Sequence, residues 1–421
     1  MERKTYTKNG IPIYIYNNES SHGFFISLFL KSGSLYESEN EAGITHFFEH
    51  IAIRNINNSM GGELYPLLDK YGLEFNASTY SETVQFYISG SKKNFIPAAE
   101  IFSRLFLPVN LPKAEIDRER DRIRAEIRET DEKTSLAGFT SGLVWQGTPL
   151  SRSILGTAKT VGAITAKRLE AYRRRVFSAE NLFVYITGGV SQREVEMLSE
   201  LISAYPLYEC EKHLNIAPVP HKFGKRDGEV AIKNADFTKV RFTFDVDMES
   251  VSSPVLDLIY DILFGGYSSG FFMELSEKRG LFYDISGSSE RYKNIGTLSF
   301  SYELREGKLC EALECTVSEL KKLKAEPLPQ DRLMKAGYVD NADMLLDDIR
   351  ELNFTFGYDN HILELGYADI NERKEKYLSV GAEEIMEAAR KIFTRSNLTV
   401  TLKGNKKRLD AEKISKIISQ L

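Results

Sequence analysis

The chain has 421 residues, 42% hydrophobic and 27% charged, with 55 Lys and Arg against 60 Asp and Glu for a formal net charge of −5. That length suits two or three domains. The mild acidity offers no general attraction to nucleic acid or anionic membrane, and no run of about 18 apolar residues marks a membrane-spanning helix.

The chain begins Met1-Glu2-Arg3-Lys4-Thr5-Tyr6 and runs straight into Ile11–Tyr16, whose alternation reads as a strand. Neither an apolar leader core with a small-residue cleavage site nor an Arg-rich amphipathic leader precedes it, so a cytoplasmic location is expected. A helix carrying His46 and His50 follows, then a strand over Tyr80–Gly90 built on Thr83-Val84-Gln85-Phe86-Tyr87-Ile88. Pro112 to Glu132 reads as a helix, with Pro112 near its first turn and Ile116, Ile123 and Ile127 on helical spacing. The stretch after Tyr205 carries Pro206, Pro218 and Pro220 without sustained periodicity, as a linker would. Gln330 to Leu345 is expected to be helical. The three cysteines, Cys210, Cys310 and Cys315, are odd in number and lack metal-site spacing, so they read as reduced thiols.

Two stretches recur half a chain apart. Lys70-Tyr71-Gly72-Leu73 parallels Lys278-Arg279-Gly280-Leu281, and Phe177-Ser178-Ala179-Glu180-Asn181-Leu182 parallels Phe393-Thr394-Arg395-Ser396-Asn397-Leu398. Recurrence in the same order implies duplication. The expectation is a first domain over 1–208, a linker over 209–223 and a homologous domain over 224–421. Each is an α+β sandwich, a mostly antiparallel sheet with helices on one face.

His46-Phe47-Phe48-Glu49-His50 carries the chemistry. Histidines four apart project from one helix face and can share one metal ion, with Glu49 beside them. Catalytic zinc commonly takes three protein ligands and keeps a position for water, and a nearby carboxylate can take the proton of that water. Glu49 is therefore the candidate general base. The order His-x-x-Glu-His reverses the commoner His-Glu-x-x-His. With six histidines in the chain, a chance match has a likelihood on the order of 10⁻⁴. The third ligand must come from elsewhere. On the acid-rich helix of Glu115, Glu119, Glu126 and Glu129, a single glutamate is ordinarily a solvated charge, so these residues alone do not choose one.

Together, Ser32-Gly33-Ser34-Leu35-Tyr36-Glu37 and Gly43-Ile44-Thr45-His46-Phe47-Phe48-Glu49-His50 resemble the pitrilysin/insulinase family of zinc peptidases, which includes the mitochondrial processing peptidases. The likeness covers nearly the whole chain. In that family the third zinc ligand is a glutamate about 76 residues beyond the second histidine, which implies Glu126, with a second functional glutamate seven residues earlier, which implies Glu119. Asn76-Ala77-Ser78-Thr79 resembles the family's edge strand along which the substrate lies, and an edge strand offers unpaired N–H and C=O groups to an extended peptide. Pro149 and Ile154–Thr157, and Phe264–Ser269, resemble its flanking loops.

The second half departs from the pattern. Pro254, Asp257 and Leu258 align with His46, Glu49 and His50, as expected where only the first domain binds metal. The family's Arg-x6-Tyr pair, which helps to hold the substrate, is represented by Tyr283 with Ser276 at the arginine position, and its Ser-Ser-Arg by Ser268-Ser269-Gly270. The resemblance implies one Zn²⁺ per chain and hydrolysis of short unfolded peptides, either for peptide turnover or for removal of leader sequences. It also implies a homodimer, or a heterodimer whose paralogous subunit brings the Arg/Tyr pair. The alternative is a catalytically silent structural or peptide-binding subunit of the same fold.

Overall fold

The computed structural model describes all residues except 131–134, 209–217, 234, 266–267, 283–284, 306, 340–341, 406 and 408. The described residues form two compact units. The first comprises Met1–Thr130, Arg152–Ile216 and Asn341–Arg373, and the second Asp131–Ser151, Ala217–Asp340 and Lys374–Leu421.

The first unit is built on a six-stranded sheet of β1 (Arg3–Tyr6), β2 (Pro12–Asn17), β3 (Gly23–Leu30), β4 (Glu74–Thr79), β5 (Val84–Ser91) and β6 (Leu182–Gly188). The strands lie in the order β1-β2-β6-β3-β5-β4, so β4 is an edge. Only the β2–β6 pair is parallel. β3 is apolar nearly throughout (GFFISLFL) because both faces are covered. Phe24, Ile26 and Leu28 pack into a core with Phe47, Phe48 and Ile51 of helix Ile44–Ser59. On the opposite face Phe29 joins Phe183, Tyr185, Leu352 and Phe356. The last two belong to helix Ile349–His361, and burying them contributes about 1.5–3 kcal/mol apiece. Asn353, fully buried on that helix, donates to Phe25 O and Tyr185 O and accepts from Ser27.

The second unit has five strands: β7 (Arg226–Ala231), β8 (Phe237–Asp247), β9 (Ile285–Arg291), β10 (Ile295–Arg305) and β11 (Leu398–Gly404). Their order is β7-β11-β8-β10-β9, and only β7–β11 is parallel. Strand for strand this repeats β2-β6-β3-β5-β4, including the position of the parallel pair. Helix Ser253–Phe264 follows β8 as helix Ile44–Ser59 follows β3. The duplication expected from Asn181-Leu182 and Asn397-Leu398 is therefore present, and those residues lead into corresponding strands β6 and β11.

Helices cover one face of each sheet, as expected. Each sheet also receives a helix on its other face, from a segment distant in sequence: Ile349–His361 in the first unit and Leu136–Val144 in the second, where Thr140 bonds Thr401 of β11 at 2.6 Å. The compact units thus interleave segments that a linear reading at 209–223 keeps apart. Residues 209–217, including Cys210, lie outside the described residues. The helix expected over Gln330–Leu345 is interrupted: Gln330–Arg332 is a 3-10 turn and Ala336–Val339 and Met344–Asp347 are single turns. Met334, with φ 56°, adopts a left-handed backbone that no α-helix can continue through. Among the described residues no helix is long and apolar enough to cross a membrane.

Candidate metal centre

The helix that presents His46 is fixed at its N-terminus by a buried carboxylate. Glu37 accepts from the backbone N–H of Gly43 and of Thr45, both at 2.9 Å, satisfying donors that the first helical turn leaves unpaired. Burial pushes the Glu37 carboxyl up to about 7, against the pull of those bonds. Gly43 has φ 88°, and a Cβ there would stand 2.5 Å from Leu155 O; a Cβ on Gly156 would stand 2.2 Å from Ala42 O. Two glycines therefore let the Leu155–Gly156 backbone press against the helix start.

On this helix, His46 and His50 face the same way, ring centroids 4.7 Å apart. Helix Lys113–Glu129 crosses nearby, burying Ile116, Glu119 and Ile123 and leaving Glu126 one turn further along. Glu126 Oε1 lies 3.8 Å from His46 Nε2, and Glu126 Oε2 lies 3.9 Å from His50 Nε2. Ligand-capable atoms of all three residues lie within 4.8 Å of one another. Metal–ligand bonds of about 2.0–2.2 Å bridge separations of this order, so two imidazoles and one carboxylate can hold a divalent cation here. Among the described residues this is the one such group of three.

Glu119 does a different job. Its carboxylate, 3% exposed, meets His50 Nδ1 at 3.1 Å and accepts from Arg54 Nε at 2.9 Å and from Arg54 Nη2. The His50 bond first, with Arg54 adding to it, holds the Glu119 carboxyl down to about 2 against its burial. Holding the proton on Nδ1 leaves the Nε2 lone pair facing Glu126, a common way of setting the tautomer of a ligating histidine. His46 lacks such a partner: its Nδ1 is buried without a hydrogen bond among the described residues, so packing orients that ring. Burial first, and His50 second, lower its pKa to about 4, keeping it neutral with a lone pair to give.

Glu49 points toward the edge strand, where Thr79 Oγ1 donates to its Oε2 at 2.5 Å. Burial raises its pKa; the Thr79 bond and His50 pull it back, and Glu126 adds to the rise. Period-two alternation puts Ala77 and Thr79 on the face of β4 nearer this helix, with Asn76 and Ser78 opposite. Among the described residues only β5 pairs with β4, through Asn76↔Tyr87, Ala77↔Phe86 and Ser78↔Gln85, leaving the other edge open to a further strand. Asn76 Oδ1 accepts from Ala77 N at 2.8 Å.

The structure therefore gathers His46, His50, Glu126, Glu119 and Glu49, with Asn76, Ala77 and Ser78 on the adjoining strand. Tyr283 lies outside the described residues. Ser276 belongs to the second unit, in the turn Phe272–Glu277. Arg54, Thr79 and Glu37 were missed as supports of the site. Arg54 was open to detection, since it lies four residues after His50 on the same helix face. Thr79 acts from a distant strand, and Glu37 reaches the helix start from six and eight residues upstream through a loop whose path no periodicity gives.

Against this geometry, two family models match the chain: Insulinase (Peptidase family M16) over residues 13–158 and Peptidase M16 inactive domain over residues 163–336. The chain belongs to peptidase family M16. The M16 domains stand in tandem, and the first contains the His46, His50 and Glu126 cluster. An uncharacterized zinc protease of Rickettsia bellii is 26% identical over 411 residues, 94% of this chain and 96% of that one. Cytochrome b-c1 complex subunit 1 of Bos taurus is 27% identical over 177 residues, 42% of this chain and 37% of its own. A protease from Helicobacter pylori has the same fold, with a TM-score of 0.82 at 19% identity over 96% of this chain and 99% of that one.

Proposed function

We propose that this M16 chain is a zinc-dependent endopeptidase acting on short, unfolded peptides. The observation that carries the reading is the convergence of His46, His50 and Glu126 within 4.8 Å beside the half-buried Glu49. His46, His50 and Glu126 would hold a zinc ion, which when bound would supply Lewis-acid chemistry at this site. An extended peptide adds to the free edge of β4, its backbone pairing with the strand of Asn76, Ala77 and Ser78. Glu49 takes a proton from the attacking water and returns it to the leaving amine. Thr79 holds that carboxylate in place, and Glu119 holds His50. Tyr283 is assigned to steadying the developing oxyanion; one such donor is worth about 10²–10³ in rate. No covalent enzyme intermediate is required.

The zinc-bearing domain takes the reaction. Ser276 at the usual arginine position, and a relative that is a complex subunit, support an assembly in which a paralogous chain brings the Arg/Tyr pair. Full activity of the purified chain, with no gain from a paralogue, would refute the heterodimer and leave the homodimer.

Metal content by elemental analysis, run with a quenched-peptide cleavage assay, tests the function. About one zinc per chain and chelator-sensitive cleavage are expected. Glu49→Gln should abolish cleavage while retaining the metal; wild-type cleavage by that variant would sink the assigned base. A chain with neither zinc nor cleavage would be a silent structural or peptide-binding subunit.

A further inference from the structure

The second sheet has a polar face whose composition is hard to explain as structure alone. β8, β10 and β11 turn Val240, Phe242, Phe300, Tyr302, Val400 and Leu402 into the core, so the alternate residues occupy the other face. Toward the middle of that face the side chains are small and hydroxylic: Thr243, Ser299, Thr399 and Thr401 are buried. At one end the character changes. The strand register sets Lys239 opposite Lys403 on one side and Glu303 on the other, and in the next row sets Arg241 between Thr401 and Ser301, with Ser286 beyond. Like charges directly opposite in a sheet are destabilising, so the Lys239–Lys403 pairing works against folding.

These rows floor a cavity of about 1290 Å³ that lies wholly within the second unit and is also lined by Arg305 and Lys308. Among the described residues five cationic side chains therefore face it, with Glu303 the one carboxylate in its lining. Glu303 pairs with Lys239 at 3.0 Å, and Lys308 with Glu311 at 3.0 Å. Arg241 differs. It is half-buried, donates from Nη2 to Ser288 Oγ at 3.3 Å, and makes no ion pair among the described residues, Glu290 acting on it only from further off. Ser286 and Ser301 beside it bond each other at 2.8 Å, leaving hydroxyl oxygens and hydrogens that can turn toward a ligand. Ser276 lines the same cavity, so no second guanidinium enters from that turn.

Burial disfavours the charged Arg241 guanidinium, and Glu290, outside ion-pair distance, offsets only part of that cost, so a nearer anion would stabilise it. Its planar fork suits a carboxylate, which accepts two parallel N–H bonds. The flanking serines can donate to the remaining lone pairs.

We propose that this end of the second sheet is a binding pocket for a peptide carboxylate, with Arg241 as its centre and Lys239 and Lys403 as its electrostatic surround. The inference rests on the peptidase reading and names a substrate class for it: peptides bearing an acidic side chain or a free C-terminus. Arg241 is a specificity residue, remote in sequence from the zinc motif.

The test uses the full chain and three labelled, unstructured ten-residue peptides of one sequence. One carries a central Glu and a C-terminal amide, one a central Gln and a free C-terminal carboxylate, and one a central Gln and an amide. Dissociation constants are measured by fluorescence anisotropy on the Glu49→Gln background at low salt. At least one carboxylate peptide should bind about tenfold tighter than the neutral one, the worth of one charge-assisted bond. Which of the two does so identifies the source of the carboxylate. Arg241→Gln should erase that ratio and Arg241→Lys should keep part of it. If Arg241→Gln fails to fold, Lys403→Gln carries the test, with the ratio expected to fall about threefold as one surrounding charge is lost. An equal ratio in the parent and in the folded variants would overturn the proposal. So would equal binding of all three peptides by the parent, including the case in which inorganic phosphate alone occupies the pocket. Loss of the peptidase reading shows separately, as failure of the Glu49 chain to cleave any of the peptides while the binding ratio persists.

Discussion

Replacing Glu119 by glutamine separates a residue that orients a ligand from one that only packs. The side chain keeps its size and stays in a site 3% exposed, between His50 Nδ1 and Arg54. What changes is one acceptor oxygen, replaced by an NH₂ that must face either the His50 N–H or the Arg54 guanidinium, both donors. The loss of one charge-assisted bond is worth about 1.5–3 kcal/mol. Partners that orient ligating histidines typically govern 10–100-fold in metal affinity, so zinc affinity of Glu119→Gln should fall by that factor, about 1.4–2.7 kcal/mol. The apo chain should also lose its acid limb of stability. The Glu119 carboxyl is depressed to about 2 when folded, so its contribution is present above its unfolded value near pH 4.5 and vanishes as pH falls through 2. The assay is a competitive chelator titration of zinc, paired with urea denaturation of the metal-free chain between pH 2 and 7. Wild-type zinc affinity in a folded Glu119→Gln chain would refute the claim that this carboxylate sets the His50 ring.

Two further outcomes follow from buried groups in the same unit. Glu82 is 1% exposed, accepts from Tyr358 at 2.6 Å and has Oε1 without a partner among the described residues; burial lifts its carboxyl to about 7. The folded state therefore binds the extra proton between about pH 4.5 and 7, and wild-type stability falls as pH rises through that window. Glu82→Gln should remove this slope, gaining about 2–3 kcal/mol relative to wild type between pH 5 and pH 8; equal differences at the two pH values in denaturant melts would count against it. Gly43→Ala, forced to φ 88° with its Cβ 2.5 Å from Leu155 O, should cost about 2–4 kcal/mol and weaken zinc retention by shifting the start of the His46 helix. An unaltered urea midpoint would show that the helix start is free to move.

What the sequence determined by itself was local or repeated. Histidines four apart on one helix must share a face, so His46, Glu49 and His50 were legible as a unit, and the recurrence of Asn181-Leu182 at Asn397-Leu398 disclosed the duplication that the matching strand orders bear out. Glu126 and Glu119 were singled out through a family spacing, because helical periodicity places a glutamate on a face of Lys113–Glu129 without saying what that face meets. Tertiary structure decided the rest. It set Glu126 within 4 Å of both histidines, brought Thr79 from the edge strand to Glu49, and placed Glu37 beneath the first turn of the His46 helix. It also assigned helix Ile349–His361 to the first sheet and Leu136–Val144 to the second. An apolar face records that a helix must be buried but not against which surface, since burial depends on area removed from water and carries no address. That address is written only in the packing of both partners, where Phe29 and Phe183 meet Phe356 and where Thr401 meets Thr140.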